Sequence, residues 1–299
     1  MKYDKGFLSI EEQIAQLEQR GLEIADKAYA ERVLLNVGYY RLAGYWWPLQ
    51  ENRSAHTFLP GVSFHQAIQI YKFDREFRQL CFHLLERIEV AVRTKMKHYP
   101  SEEFGPWWFE EASLFRNQYH FQNNLDHIER EVKRSKEVFI EHHFDKYTSD
   151  TRLPPAWKSL EVISFGTLSK LYKSLSKGTC RKTIAKDLGF VSKPYLESWL
   201  QSMTIIRNIC AHHSRLWNRR LQHIPKLLNV DQPDWVADVG HDPHRMYIMF
   251  CGMVYMLRHI TEDRSIDGQI RELFEKYPTI DPTALGFPKN WTSDRFWKQ

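Results

Sequence analysis

What this sequence lacks narrows it before any motif is read. Its four cysteines, Cys81, Cys180, Cys210 and Cys251, stand far apart and form no C-x-x-C pair. That excludes a zinc ribbon and a disulfide framework, and it is the pattern of reduced, mostly buried thiols in a cytoplasmic protein. The longest apolar run, Met246 to Leu257, covers twelve residues, short of the ~20 that a membrane helix needs. A core helix is expected there, and no membrane as a partner. The opening Met1-Lys2-Tyr3-Asp4-Lys5 is charged and lacks the apolar region of a signal peptide. There is no phosphate-binding Gly-rich loop, no internal repeat, no low-complexity segment and no convincing apolar-polar alternation, so neither P-loop chemistry nor a β fold is indicated. His142-His143 could join His127 or His120 around a metal, but no Cys or carboxylate completes a recognisable ligand spacing. Neither a metal site nor a cofactor is expected.

What is present is material for a core. Of 299 residues 42% are hydrophobic and 14% aromatic, ample for one large or two modest globular units. The net charge of +5 favours an acidic partner without identifying one. Helical periodicity dominates, and the expected fold is all-α. Residues 9–36 read as two short helices, the first opened by a Ser9/Glu12 capping box and ended by Gly21. An aromatic cluster follows, Tyr39-Tyr40-Arg41 and Tyr45-Trp46-Trp47, bounded by Gly38 and Pro48. Such residues either fill a core or stack nucleic-acid bases beside the arginine. Residues 58–61 look like a linker. A long helix is expected over 64–98, with Phe77, Leu80, Leu84, Ile88 and Val92 as its inner stripe and Glu86, Glu89 and Arg93 on an adjacent face. Breaks at Pro100 and Gly105-Pro106 precede a helix over 118–142, then one over 157–175 interrupted near Gly166.

A basic run, Lys170, Lys173, Lys177, Arg181, Lys182 and Lys186, is either a solvated face or an electrostatic footprint for an RNA backbone. After a helix over 198–219, another is expected from Asp242-Pro243 to His259, with proline in its first turn. A short helix over 268–276 and an irregular docking tail complete the chain. The divisions drawn from this are an N-terminal helical and aromatic extension (1–60), a helical core (61–225), and C-terminal helices with the tail (226–299).

The helix over 198–219 carries the chemistry. Trp199, Met203, Ile206, Cys210 and Trp217 recur at intervals of three, four and seven, the mark of one buried face. Asn208 and His212 then share a side that Arg207 can also reach. A guanidinium holds a phosphodiester through two parallel hydrogen bonds, and an imidazole moves protons at neutral pH. RNA supplies its own nucleophile, the 2′-hydroxyl, so Arg plus His can cut it without a metal. The bare spacing is weak, because with 22 Arg and 14 His about one such pair arises by chance, and the chain holds three: Arg78/His83, Arg93/His98 and Arg207/His212. Context separates them. Arg207-Asn208-Ile209-Cys210-Ala211-His212-His213 resembles the Arg-polar-x-x-x-His signature of HEPN-type ribonucleases. The trailing Ser214-Arg215-Leu216-Trp217-Asn218-Arg219 resembles one branch of these, the Abi-like abortive-infection proteins of the AbiD/AbiF kind. Gly38 to Tyr45, Tyr71 to Arg75, Glu86 to Thr94, Ser164 to Ser169 and Leu285 to Trp291 resemble the same family in the same order.

The resemblance implies a HEPN-like helical bundle and a metal-independent endoribonuclease of an anti-phage, toxin-like system. In it Arg207 clamps the scissile phosphate, Asn208 holds the histidine or the phosphate, and His212 serves as general acid or base. His213 is auxiliary, and Glu89 and Arg93 orient the Arg-His helix. Lys170, Lys173, Lys177, Arg181, Lys182 and Arg41 are candidate RNA contacts. The implied partners are RNA, as substrate or as a small noncoding partner, and a second copy of the chain, since such enzymes set two motifs face to face. The alternative is a module of the same fold that binds RNA without cutting it. In a third reading Arg207 simply pairs with Glu89.

Overall fold

The computed structural model describes residue 2 and residues 6–298. Twelve α-helices dominate the described residues, and the fold is all-α. The chain opens with α1 (Ile10–Gln19), α2 (Lys27–Val37) and α3 (Tyr39–Trp46). The expected capping box is formed: the Ser9 hydroxyl accepts from the Glu12 N–H, and the Glu12 carboxylate accepts from the Ser9 N–H at 2.7 Å. A small hairpin follows, β1 (Gln50–Asn52) against β2 (Thr57–Phe58). Its strands are too short for sequence alternation to reveal, and what was read as the start of a linker is in part a strand.

The axis of the molecule is α4 (Phe64–Phe104), 41 residues long. It runs six residues past His98 and through Pro100, and stops at Gly105, which sits at φ 89°. A proline removes one backbone bond, but the turn beyond it is held from outside, because the Glu103 carboxylate accepts the N–H groups of Thr179 and Cys180. Around α4 pack α5 (Gln118–Arg134), α6 (Val138–Lys146), α7 (Ala156–Ser159), α8 (Phe165–Ser174), α9 (Cys180–Asp187), α10 (Lys193–Ala211), α11 (Met246–Arg258) and α12 (Ser265–Lys276). Short 3-10 turns make up the tail.

Several helix limits differ from the sequence expectation, each for a local reason. The helix over 118–142 is two helices, because the Ser135 hydroxyl bonds the Glu137 N–H and competes with the helical bond. The helix over 157–175 breaks at 160–164 and not at Gly166; the Leu160 and Ile163 carbonyls in that gap turn to the Arg93 guanidinium. Asp242-Pro243 do not begin α11: the Asp242 carboxylate takes the His244 N–H and pairs with Arg220 and Arg245, closing a turn instead. The apolar run does form a core helix, with Met246 to Leu257 all buried. No helix among the described residues is long and apolar enough to cross a membrane.

Two apolar cores result. Ile14, Leu17, Leu34, Leu42, Trp46 and Phe58 form the first, with the initial turns of α4. The second is continuous from Tyr45 to Trp297, so residues 226–299 share it with the helices before them.

Candidate functional site

The Arg207 side of α10 lies against α4, and three charged residues meet there. Arg93 is buried and spends its guanidinium inward, donating to the carbonyls of Leu160 and Ile163 and, at 2.6 Å, to Glu89 Oε1. The other Glu89 oxygen faces Arg207, with Nε at 3.6 Å. That is an ion pair but too long for a hydrogen bond, and Arg207 Nε has no hydrogen-bond partner. Arg93 thus anchors Glu89, and Glu89 holds the root of Arg207. A hollow lined by Phe82, Glu86, Glu89, Val90, Arg93 and Arg207 opens at this point.

The helix carrying the motif is shorter than expected. It ends at Ala211, not at Arg219, because the chain turns left-handed at His213, φ 55°. The His213 N–H bonds the Cys210 carbonyl and the Ser214 N–H bonds that of Ile209, a Schellman closure. His212 is the cap, and its N–H still bonds the Asn208 carbonyl at 3.0 Å. Asn208 and His212 therefore keep the helical offset and share one side, one on the rod and the other on the turn. Trp217 falls outside the helix.

The turn is fixed from beneath by residues that the sequence reading passed over. Asp74, fully buried on α4, accepts the N–H groups of Leu216 (3.1 Å) and Trp217 (2.6 Å), the Tyr45 hydroxyl (2.7 Å) and the Arg78 guanidinium. Burial pushes the Asp74 carboxyl up, against the pull of Arg78 and its hydrogen bonds. Burial, then the neighbouring Asp74 charge, pushes the Tyr45 hydroxyl up as well. The available signal was the i, i+4 pair Asp74/Arg78 inside an apolar stripe, since buried charges come paired. From α3, Arg41 donates to the His213 carbonyl at 2.7 Å, so its guanidinium is engaged with the turn. Cys210 lies beneath the motif, and burial pushes its thiol up to about 12. It stays protonated and is no nucleophile.

Above this support, Asn208, His212 and His213 are exposed. Among the described residues the side chains of Asn208 and His212 have no hydrogen-bond or ion-pair partner, unlike His223, which meets Ser202, or His244, which meets the Leu221 carbonyl. A guanidinium, an amide and an imidazole thus converge on solvent, able to hold an anion and move a proton.

The basic run divides. Lys170, Lys173, Lys177, Lys182 and Lys186 are exposed on α8, α9 and the turn between them. Arg181 is not among them: it is 1% exposed, ion-paired with Glu197, donating to the Leu175 carbonyl and lying over the Tyr172 ring. Its place in an RNA footprint is corrected to a core anchor, since periodicity along a charged run does not show which member turns inward. Among the described residues no three His, Cys, Asp or Glu side chains gather as metal ligands.

A family model described as "Abi-like protein" matches residues 32–218, more than half of the chain and the whole of the arrangement above. No curated protein and no solved structure matches.

Proposed function

This chain belongs to the Abi-like family, whose description points to abortive infection, and from that premise we propose that it is a metal-independent endoribonuclease of the HEPN kind, acting in the cytoplasm in defence against phage. The supporting observation is that Asn208 and His212 stand exposed and unpartnered on one side of the motif, beside the half-buried Arg207, which Glu89 holds from below. Exposed side chains set on a packed scaffold and not engaged within the chain are placed to meet a ligand from solvent.

In this reading Arg207 grips the scissile phosphate, with Glu89 fixing its approach and Arg93 fixing Glu89. His212 takes the 2′-hydroxyl proton or returns one to the leaving 5′-oxygen, leaving a 2′,3′-cyclic phosphate. Asn208 orients the imidazole or the phosphate, and His213 stands by as auxiliary. The exposed lysines of α8, α9 and the turn between them, without the buried Arg181, supply charge for the RNA backbone. The second His comes from a second copy. Phe82, Val90 and Ile205 are exposed apolar residues on α4 and α10 beside the motif, and a dimer seated there sets two motifs across one cleft.

Purified protein incubated with mixed RNA in EDTA tests the proposal. Cleavage by wild type giving cyclic-phosphate ends, lost in His212→Ala, is expected. Binding without cleavage by either protein favours the second reading, an RNA-binding module working with a small noncoding RNA. The unpartnered Asn208 and His212 fit that reading equally well.

A further inference from the structure

A hollow that the proposed ribonuclease reaction does not use lies in the N-terminal part, between α1, α3 and the hairpin. Its volume of about 720 Å³ falls within the ~300–1,000 Å³ of small-molecule sites. Its aromatic lining includes Tyr40, Trp46 and Trp47. Trp46 is buried against Phe58 and the Tyr39 ring, an ordinary core residue. Tyr40 and Trp47 are different: Tyr40 is 81% exposed and most of its ring is left in water beside a cavity, while Trp47 is half-buried, with the His56 ring at 6.2 Å and the Arg53 guanidinium 5.9 Å from its centroid, a cation that a stacked base displaces. Large aromatic faces left open are costly unless a partner covers them.

The polar members of the lining point the same way. Gln50 is 92% buried by the complement of its 8% exposure, lines the hollow, and leaves Oε1 with no hydrogen-bond partner. Gln13 lines the same hollow. Its amide nitrogen donates to the Leu8 carbonyl at 3.0 Å, and its Oε1 too has no partner. Two buried carbonyl oxygens without donors are a standing cost, removed when the two amides turn into the hollow and meet a ligand that presents N–H groups. Arg20 adds a cation at the rim, half committed through a 2.7 Å bond to the Tyr39 hydroxyl. Flat apolar faces, orphaned acceptors and a cation fit a nucleotide: a planar ring to stack, an N–H edge to read, a phosphate to hold.

We propose that this hollow receives one unstacked nucleobase bearing an exocyclic amino group, stacked on Tyr40 and Trp47 and read by the side-chain carbonyls of Gln13 and Gln50. The base comes from a bound RNA strand or from a free nucleotide. The first source rests on the RNA-directed reading of the helix-end motif; the second does not. Uracil, with no amino group, is the base that satisfies the two carbonyls least.

The test uses the full chain carrying His212→Ala, so that RNA persists, and a 12-nucleotide oligouridine with one central 2-aminopurine. Stacking quenches 2-aminopurine, and quenching on binding is expected. It should be lost, with affinity weakened at least tenfold, in Tyr40→Ala/Trp47→Ala, whose retained fold is checked by circular dichroism, and weakened in Tyr40→Ala alone, whose exposed position leaves the melting temperature unchanged. Gln50→Leu should keep the quench while erasing the preference for AMP, GMP and CMP over UMP in competition. Competition by mononucleotides at micromolar concentration identifies a free nucleotide as the source, and quenching that mononucleotides do not relieve identifies RNA. Quench and affinity unchanged in the double variant, or neither RNA quench nor mononucleotide binding in the parent, overturns the proposal. None of these readouts depends on cleavage, so loss of the ribonuclease reading leaves a positive result standing, and a cutting enzyme with an unquenched probe refutes the pocket alone.

Discussion

His212 and His213 are adjacent and both exposed, yet the backbone separates their roles. His213 occupies a left-handed conformation that L residues reach at a cost of roughly 1 kcal/mol and that glycine reaches freely. Replacing His213 with Gly should raise the unfolding free energy by about 1 kcal/mol in denaturant titration and keep cleavage. Loss of cleavage would move the catalytic assignment from His212 to His213. His212→Ala should remove cleavage by at least ~100-fold, the scale of one general acid or base, with no change in melting temperature at this exposed cap. Arg93→Ala should instead destabilise the fold by about 3 kcal/mol in the same titration, because it strips the part-buried Glu89 carboxylate and two carbonyls of their donor. At this scale the sequence was informative where chemistry and spacing coincide. It carried the Glu89/Arg93 pair and the shared side of Asn208 and His212, but not which arginine of a basic run turns inward, since Arg181 is buried by α9 packing on α10 and not by its own pattern.

Helix type and order were legible in the periodicity, whereas helix ends were not, because tertiary hydrogen bonds set them. Arg93 opens the gap before α8, Asp74 seizes the turn after α10, and Glu103 carries α4 past Pro100. Each is a side chain acting on an element distant in sequence, where a local pattern has no reach. Asp74→Ala should therefore release the 214–217 turn, lowering both stability, by about 3 kcal/mol, and RNA cleavage. Glu103 offers a pH handle. Its slight burial alone would raise its carboxyl, but the N–H groups of Thr179 and Cys180 outweigh that and hold it below its ordinary 4.5. A carboxyl depressed on folding contributes stability that is complete above the unfolded value and is lost as pH falls through the folded one. Acid titration followed by circular dichroism should thus show a stability loss below about pH 4.5 that Glu103→Gln flattens.

For the molecule as a whole, charge and symmetry make separate expectations. Removing Lys170, Lys173 and Lys177 together should reduce the salt dependence of RNA binding by about 2 in log-log slope, at ~0.7 per single-strand phosphate contact. An unchanged slope would return those lysines to solvation. Phe82→Asp with Val90→Asp should give a single-chain mass by light scattering and abolish cleavage if two copies share one cleft; an active single chain would refute that arrangement. Expression of wild type, and not of His212→Ala, should slow bacterial growth when no restraining partner is present.

Finally, α3 touches both ends of the story. Tyr40 faces the N-terminal hollow, while Arg41 and Tyr45 reach the turn bearing His213 and the carboxylate of Asp74. A helix with its side chains is about 10–12 Å across. If a base is seated on one side of that rod and a phosphate severed at the other, the rod is a spacer. Cuts would then fall at a fixed count of nucleotides from the anchored base, and the ends of the fragments would record the width of α3.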